Sequence, residues 1–312
     1  MRFDQFMQHA LHHPEKGYYA KNIRTVGKSG DFSTSATLSP ILGKSIAHTA
    51  HAWAKQSKLP LNLIEVGAGD GSLAKSVIEN IPFFKRLKLR YHIVDTSSPL
   101  IEKQKETLAS KRVHWHTEIT SALSDCNGNA FIFSNELVDA FPVRVFQKKN
   151  STWDELYFSD GAEVFKEVND LPETSAKDHS ENRRIEVHES YRTWQQSWLP
   201  SWKNGQLLTI DYGDTYPEIY HRRPEGTIRG YFHHHLRSGI EIYQNAGHQD
   251  ITADVNFTDL MQWGEQDGLD TISFISQNEY LAPFARQTEQ DQFLMHLDGS
   301  GSAFKVLLQQ KR

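Results

Sequence analysis

The heptapeptide Glu65-Val66-Gly67-Ala68-Gly69-Asp70-Gly71 constrains this chain more than any other feature. It follows a short apolar run, 61–66, bounded by Pro60 and closed by a β-branched residue, which suits a buried parallel strand. A helix from about 72 to 80 comes next. Glycines at such a turn let the main chain adopt left-handed conformations and let a ligand approach it closely. A dinucleotide fingerprint needs glycines two and then three apart, but the third position counted from Gly67 and Gly69 is Ser72. The spacing is instead two and two, with an acidic residue opening the motif. Asp95, at the end of the next predicted strand, suits the paired hydroxyls of a ribose. A bare connecting turn is the plain alternative. The strand before, the helix after and Asp95 favour a nucleoside cofactor, with NAD as the rival.

The same alternation continues along the chain. Residues 89–94 read as a strand, 99–110 as a helix, 112–116 as a strand, 131–133 as the fourth strand, 206–210 as the fifth and 304–308 as the last. Strand and helix alternate as in doubly wound sheets. Upstream, Phe3, Phe6, Met7, Ala10 and Leu11 fall on a 3.6-residue stripe, an amphipathic helix stopped by Pro14. A polar glycine-containing loop over 27–39 precedes a second helix over 41–53 and is expected to close over bound ligand. The segment 160–184, acidic and carrying Pro172, reads as a surface insertion or mobile loop.

Composition narrows the class further. With 312 residues, 17 Phe, 11 Tyr and 7 Trp the chain can bury a large core, and we read it as one elaborated domain. A formal net charge of -5 lacks the basic footprint of phosphate-backbone binding, so nucleic acid is disfavoured. The single cysteine, Cys126, precludes an intrachain disulfide, and no stretch is apolar enough for an export signal or a membrane span. A cytoplasmic location is the expectation.

Beyond the glycine motif, ordered matches cover nearly the whole chain: Pro14-Glu15-Lys16-Gly17-Tyr18-Tyr19, Gly30-Asp31-Phe32, Ser134-Asn135-Glu136-Leu137 with Asp139-Ala140-Phe141-Pro142, Asp211-Tyr212-Gly213, Gly226-Thr227-Ile228-Arg229, Tyr231 with His234, and Asp250-Ile251-Thr252-Ala253. In these motifs the chain resembles the MidA-like family of class I S-adenosylmethionine-dependent methyltransferases, which includes a mitochondrial complex I assembly factor that methylates protein arginine. The resemblance implies an α/β, Rossmann-like class I methyltransferase fold. Its mostly parallel seven-stranded sheet would carry helices on both faces, an N-terminal helical cap and insertions. Residues 1–60 would form the cap and cofactor lid, and 61–312 the methyltransferase domain, with insertions at about 150–200 and 214–250.

By resemblance and chemistry together, Asp31, Glu65, Gly67, Gly69, Gly71, Asp95 and Asn135 should hold S-adenosylmethionine, whose ammonium and sulfonium favour nearby carboxylates. Glu136 and Asp139, just past the fourth strand, would share one face of a helical turn and clamp a guanidinium, with His234 facing the substrate channel. The implied substrate is a protein arginine, and a role in assembling a respiratory or other complex accompanies it. The competing readings are a small-molecule or RNA methyltransferase, a cofactor-binding assembly factor without catalysis, and an NAD-dependent oxidoreductase. Two departures bear on substrate: Ser35-Ala36-Thr37-Leu38-Ser39 replaces an acidic stretch, and Asp254 and Asn256 stand where the family usually has His and Asp. The 16 histidines suggest no metal site, since neither His233-His234-His235 nor His48 with His51 has a ligating pattern.

Overall fold

A computed structural model describes residues 1–22, 39–232, 235–286 and 288–312. The chain divides into two compact units, one built from Met1–Arg24, Val138–Gln195 and Tyr212–Trp263, the other from Thr25–Leu137, Gln196–Asp211 and Gly264–Arg312. The first sixty residues therefore contribute to both.

The second unit carries the main sheet. Its strands are β1 (Asn62–Val66), β2 (Arg90–Val94), β3 (Val113–His116), β4 (Phe131–Asn135), β5 (Gln206–Asp214), β6 (Leu269–Ser276) and β7 (Phe304–Lys311), in spatial order 3-2-1-4-5-7-6. β1 to β5 run parallel, while β6 and β7 pair antiparallel with an irregularity between Thr271 and Ser273. Every residue of β1 and of β4 is buried, as central strands covered on both sides require. Leu63, Tyr91, Ile93, Phe131, Phe133 and Leu208 form one face, packed with Ile41, Ile46 and Trp53 of the helix Ile41–Ser57 and with Leu73 and Val77 of the helix Ser72–Asn80. The helix Ile119–Asp125 packs on β1, β2 and β3. This is the doubly wound class I arrangement that the sequence implied. Strand β6 went unrecognised because its edge position leaves much of it exposed and polar.

In the first unit the helix Phe3–His12 buries the five stripe residues Phe3, Phe6, Met7, Ala10 and Leu11. Phe6 lies 4.8 Å from the ring of Tyr243, which stacks on Phe158 at 3.9 Å. A four-stranded antiparallel sheet runs Ala162–Val168, Thr152–Ser159, Arg144–Lys149, Arg184–Val187, and a three-stranded one runs His235–Arg237, Arg229–Phe232, Asp250–Thr252. Segment 160–184 is thus no loose insertion, since Ala162–Val168 is an edge strand that exposes Lys166 and Glu167 and turns Glu163 inward. Arg184 donates to Glu163 at 2.8 Å, and Asp259 receives Thr174 Oγ1 at 2.8 Å and the Ser175 amide at 2.6 Å. Glu163, Lys166 and Glu167, interleaved with Ala162, Val164, Phe165 and Val168, hid this strand within an acidic segment.

Gly43 lets two helices of the second unit approach closely: a Cβ there would lie 2.3 Å from Ser76 Oγ and 2.9 Å from the Val77 amide nitrogen. Gly43→Val should cost about 1–3 kcal/mol through overpacking, read as a lower urea midpoint with an unchanged slope. An unchanged midpoint would contradict this packing.

Candidate cofactor site

The turn after β1 places Gly67, Gly69 and Gly71 at φ 71°, 53° and 84°, a left-handed run that residues with a Cβ adopt only at a cost. The three glycines differ in what a side chain would meet. At Gly67 a Cβ would lie 2.9 Å from Leu137 Cδ1, and at Gly71 it would lie 3.2 Å from Gln104 Cα. At Gly69 a Cβ would meet no atom of the described residues within 4 Å beyond its chain neighbours. Two glycines therefore serve packing, and the middle one borders open space where a ligand can lie against the main chain. Asp70 Oδ1 accepts the Ser72 amide at 2.9 Å and starts the following helix.

Asp95 is fixed beside this turn. Its Oδ1 accepts the Ser97 amide at 2.9 Å and its Oδ2 accepts Gln104 Nε2 at 2.7 Å. The same Nε2 donates to the Gly69 carbonyl at 3.0 Å, while Gln104 Oε1 accepts Trp115 Nε1 at 3.1 Å. Gln104 thus ties the glycine turn to the acidic residue, and the sequence reading missed it. A signal was present: Leu100, Gln104 and Leu108 recur at intervals of four and are all buried, so a glutamine occupies an apolar-stripe position. The charges around it obscured this, and two exposed ion pairs, Lys103 with Glu106 and Lys105 with Glu102, give that helix its solvated outer face.

Glu65, 2% exposed, receives the Tyr91 hydroxyl at 2.5 Å. Burial pushes its carboxyl up to about 8; the Tyr91 bond opposes the shift, and Asp95 and Asp70 add to it. Burial likewise raises Asp95. A cation placed beside either acid would favour its ionised form and oppose the shift.

At the end of β4, Asn135 Nδ2 donates to Glu136 Oε1 at 3.0 Å, and the Glu136 amide donates to the Ile210 carbonyl at 2.9 Å. Glu136 has φ 53°, an uncommon conformation for a glutamate and one that recurs at functional sites. It is not in a right-handed helical turn, so the expected helical face shared with Asp139 does not form. Leu137 N donates to the buried Asp211 carboxylate at 3.1 Å.

Asp139 belongs to the first unit, in the turn Val138–Ala140. It is buried, Tyr212 Oη donates to its Oδ2, and its carbonyl accepts the Ala253 amide at 3.1 Å. Tyr19 Oη donates to Asp250 Oδ1 at 2.9 Å, and both Asp250 and Asp139 raise the Tyr19 hydroxyl electrostatically, after burial. Four of the sequence motifs therefore converge around Asp139. The departure at Asp254 also has an account, since this carboxylate pairs with Arg223 and Arg229, while Asn256 donates to Ser175 Oγ at 3.1 Å. Asp31, with the expected lid, and His234 lie outside the described residues.

The Glu65 carboxyl carries a testable pH signature. In the folded chain it titrates near 8 against an ordinary value of 4.5, so the native state holds a proton that the unfolded chain has released between these values. Its contribution is full below about 4.5 and is lost as pH rises to 8, at up to about 1.4 kcal/mol per unit. Glu65→Gln keeps an acceptor for Tyr91 and removes the titration. In urea unfolding without ligand, the variant should match the parent near pH 5 and exceed it near pH 8.5. Parallel stability profiles would contradict the assignment.

Residues 41–275 match the family described as "Putative S-adenosyl-L-methionine-dependent methyltransferase". The chain is 25% identical, over 94% of its length and 73% of the relative's, to a Drosophila melanogaster protein named as a mitochondrial protein arginine methyltransferase homolog. It is 26% identical to the Danio rerio protein of that name, over 82% of this chain and 66% of the relative. A Burkholderia thailandensis crystal structure bound to S-adenosyl-homocysteine superposes with TM-score 0.83 at 25% identity, covering 100% of this chain and 88% of that one. The mitochondrial relatives overturn the cytoplasmic expectation, which rested on one cysteine and no apolar span, features that any reducing compartment allows. Among the described residues no helix is long and apolar enough to cross a membrane. With its glycine turn, its fixed Asp95 and a family match over most of its length, this chain belongs to the MidA-like S-adenosyl-L-methionine-dependent methyltransferases.

Proposed function

We propose that this methyltransferase modifies arginine side chains of a protein substrate. The observation that carries the proposal is Glu136, held in a left-handed conformation at the end of β4 in the second unit; Asp139, three residues on, is buried against Tyr212 in the first. The names of the animal relatives support the same substrate.

The residues present fit the cofactor. The open space over Gly69 would accept a ligand against the main chain, Asp95 would receive ribose hydroxyls, and Glu65, which keeps its proton up to about pH 8, would ionise beside a cationic methionine end. Asn135, whose amide holds Glu136, would complete the pocket. Bound S-adenosylmethionine supplies a methyl group already activated on a sulfonium. The chain's task is alignment, worth ~7–11 kcal/mol of barrier in well-oriented systems. A guanidinium is protonated at neutral pH and a poor nucleophile. Glu136 and Asp139 would accept its N–H groups, orient the attacking nitrogen and take up the proton released on methylation. Tyr212, donating to Asp139, keeps that carboxylate in one orientation. Involvement in assembling a larger complex would follow from the identity of the methylated protein.

The experiment is transfer of labelled methyl groups from S-adenosylmethionine into extract fractions. Label should appear in protein and be recovered as methylarginine on hydrolysis; label only in RNA or small molecules would overturn the proposal. Glu136→Gln and Asp139→Asn should each bind S-adenosyl-homocysteine as the parent does yet lose on the order of ten- to a hundredfold in rate, as removal of a contact worth ~1.5–3 kcal/mol implies. Parental rates in both variants would refute the clamp.

A further inference from the structure

The histidines that matter for metal chemistry are not the consecutive ones. In the second unit, His92 of β2 pairs in register with His114 of β3, and His116 lies two residues further along β3. Parallel pairing and the period of two put all three on one face of the sheet, the face on which the helix Ile119–Asp125 packs. That helix ends in Asp125. The result is a cluster brought together from three elements by the fold.

We propose that His92, His116 and Asp125 bind a divalent transition metal of the zinc class, with His114 adjoining. His92 Nδ1 lies 2.9 Å from His116 Nε2, His116 Nε2 lies 3.8 Å from Asp125 Oδ2, and one ligand atom from each residue falls within 4.8 Å of the others. Bonds of about 2.0–2.2 Å to a tetrahedral ion place donor atoms roughly 3–3.6 Å apart. The two nitrogens are close to that spacing already. The Asp125 side chain, 57% exposed, can close the remaining gap by rotation.

His92 is 2% exposed with its Nδ1 turned to His116 Nε2, so the ring is already fixed in the cluster by packing. Asp125 is open to solvent and gives an ion its route in. The His116 carbonyl accepts the Asp95 amide at 3.0 Å, so a bound ion would also brace the strand end that carries the cofactor's acidic residue. This inference is independent of the proposed substrate.

The test uses the full-length, untagged protein. Zinc is titrated by calorimetry, and cobalt(II) is followed by its visible absorption as a report on tetrahedral nitrogen and oxygen ligation. One ion per chain should bind, with a rise in melting temperature, and His116→Gln and Asp125→Asn should each weaken binding at least tenfold while retaining the parental circular dichroism. Should His116→Gln fail to fold, Asp125→Asn decides, because its side chain is mostly exposed. No saturable uptake by folded protein would overturn the proposal. So would equal affinity in the variants, which would place the ion at other histidines.

Discussion

The cofactor end of the main sheet depends on one buried amide. Gln104 Nε2 bridges the Gly69 carbonyl and Asp95 Oδ2, and Gln104 Oε1 takes the Trp115 indole proton. These three bonds connect the turn after β1, the end of β2 and strand β3. A glycine turn with three positive φ values would otherwise sample many conformations. A buried side-chain amide is costly if left unpaired, so the same satisfaction that makes Gln104 tolerable in the core also holds the turn in place. A Cβ at Gly71 would lie 3.2 Å from Gln104 Cα, so a side chain there would press on the helix Ser98–Thr107 as well as strain a backbone at φ 84°.

Within each unit the fold accepts several local costs. Glu65 is buried, Glu136 is left-handed, and Asp95 and Asp250 are raised by burial. Each would be a liability in a purely structural core. Such expenditures concentrate where a fold holds groups ready for a ligand, and here they fall on the motifs shared with the family.

Much of this was legible in the sequence, for physical reasons that differ by element. The helix Ser72–Asn80 was read with its observed bounds because glycines fix its start, and the stripe of the helix Phe3–His12 is buried residue for residue. The strands missed were half-exposed ones, β6 and Ala162–Val168 at sheet edges and also the inner strands Arg144–Lys149 and Thr152–Ser159, whose apolar residues alternate with charged or polar ones. Glu65, Gly67, Gly69, Gly71 and Asp95 could be proposed from sequence because they lie at the ends of β1 and β2. Gln104, Tyr19 and Asp250 act through contacts distant in sequence, and the register that unites His92 with His116 is invisible before the strands are paired.

The central claim is that a pocket preorganised by Gln104 holds S-adenosylmethionine. Titration calorimetry with S-adenosyl-homocysteine, on the parent and on Gln104→Ala, tests it most directly. The account predicts one-to-one binding by the parent, no comparable binding of NAD, and at least a tenfold loss of affinity in a variant that remains folded. Absence of binding by the intact parent, equal affinity for NAD, or an unweakened Gln104→Ala would contradict it.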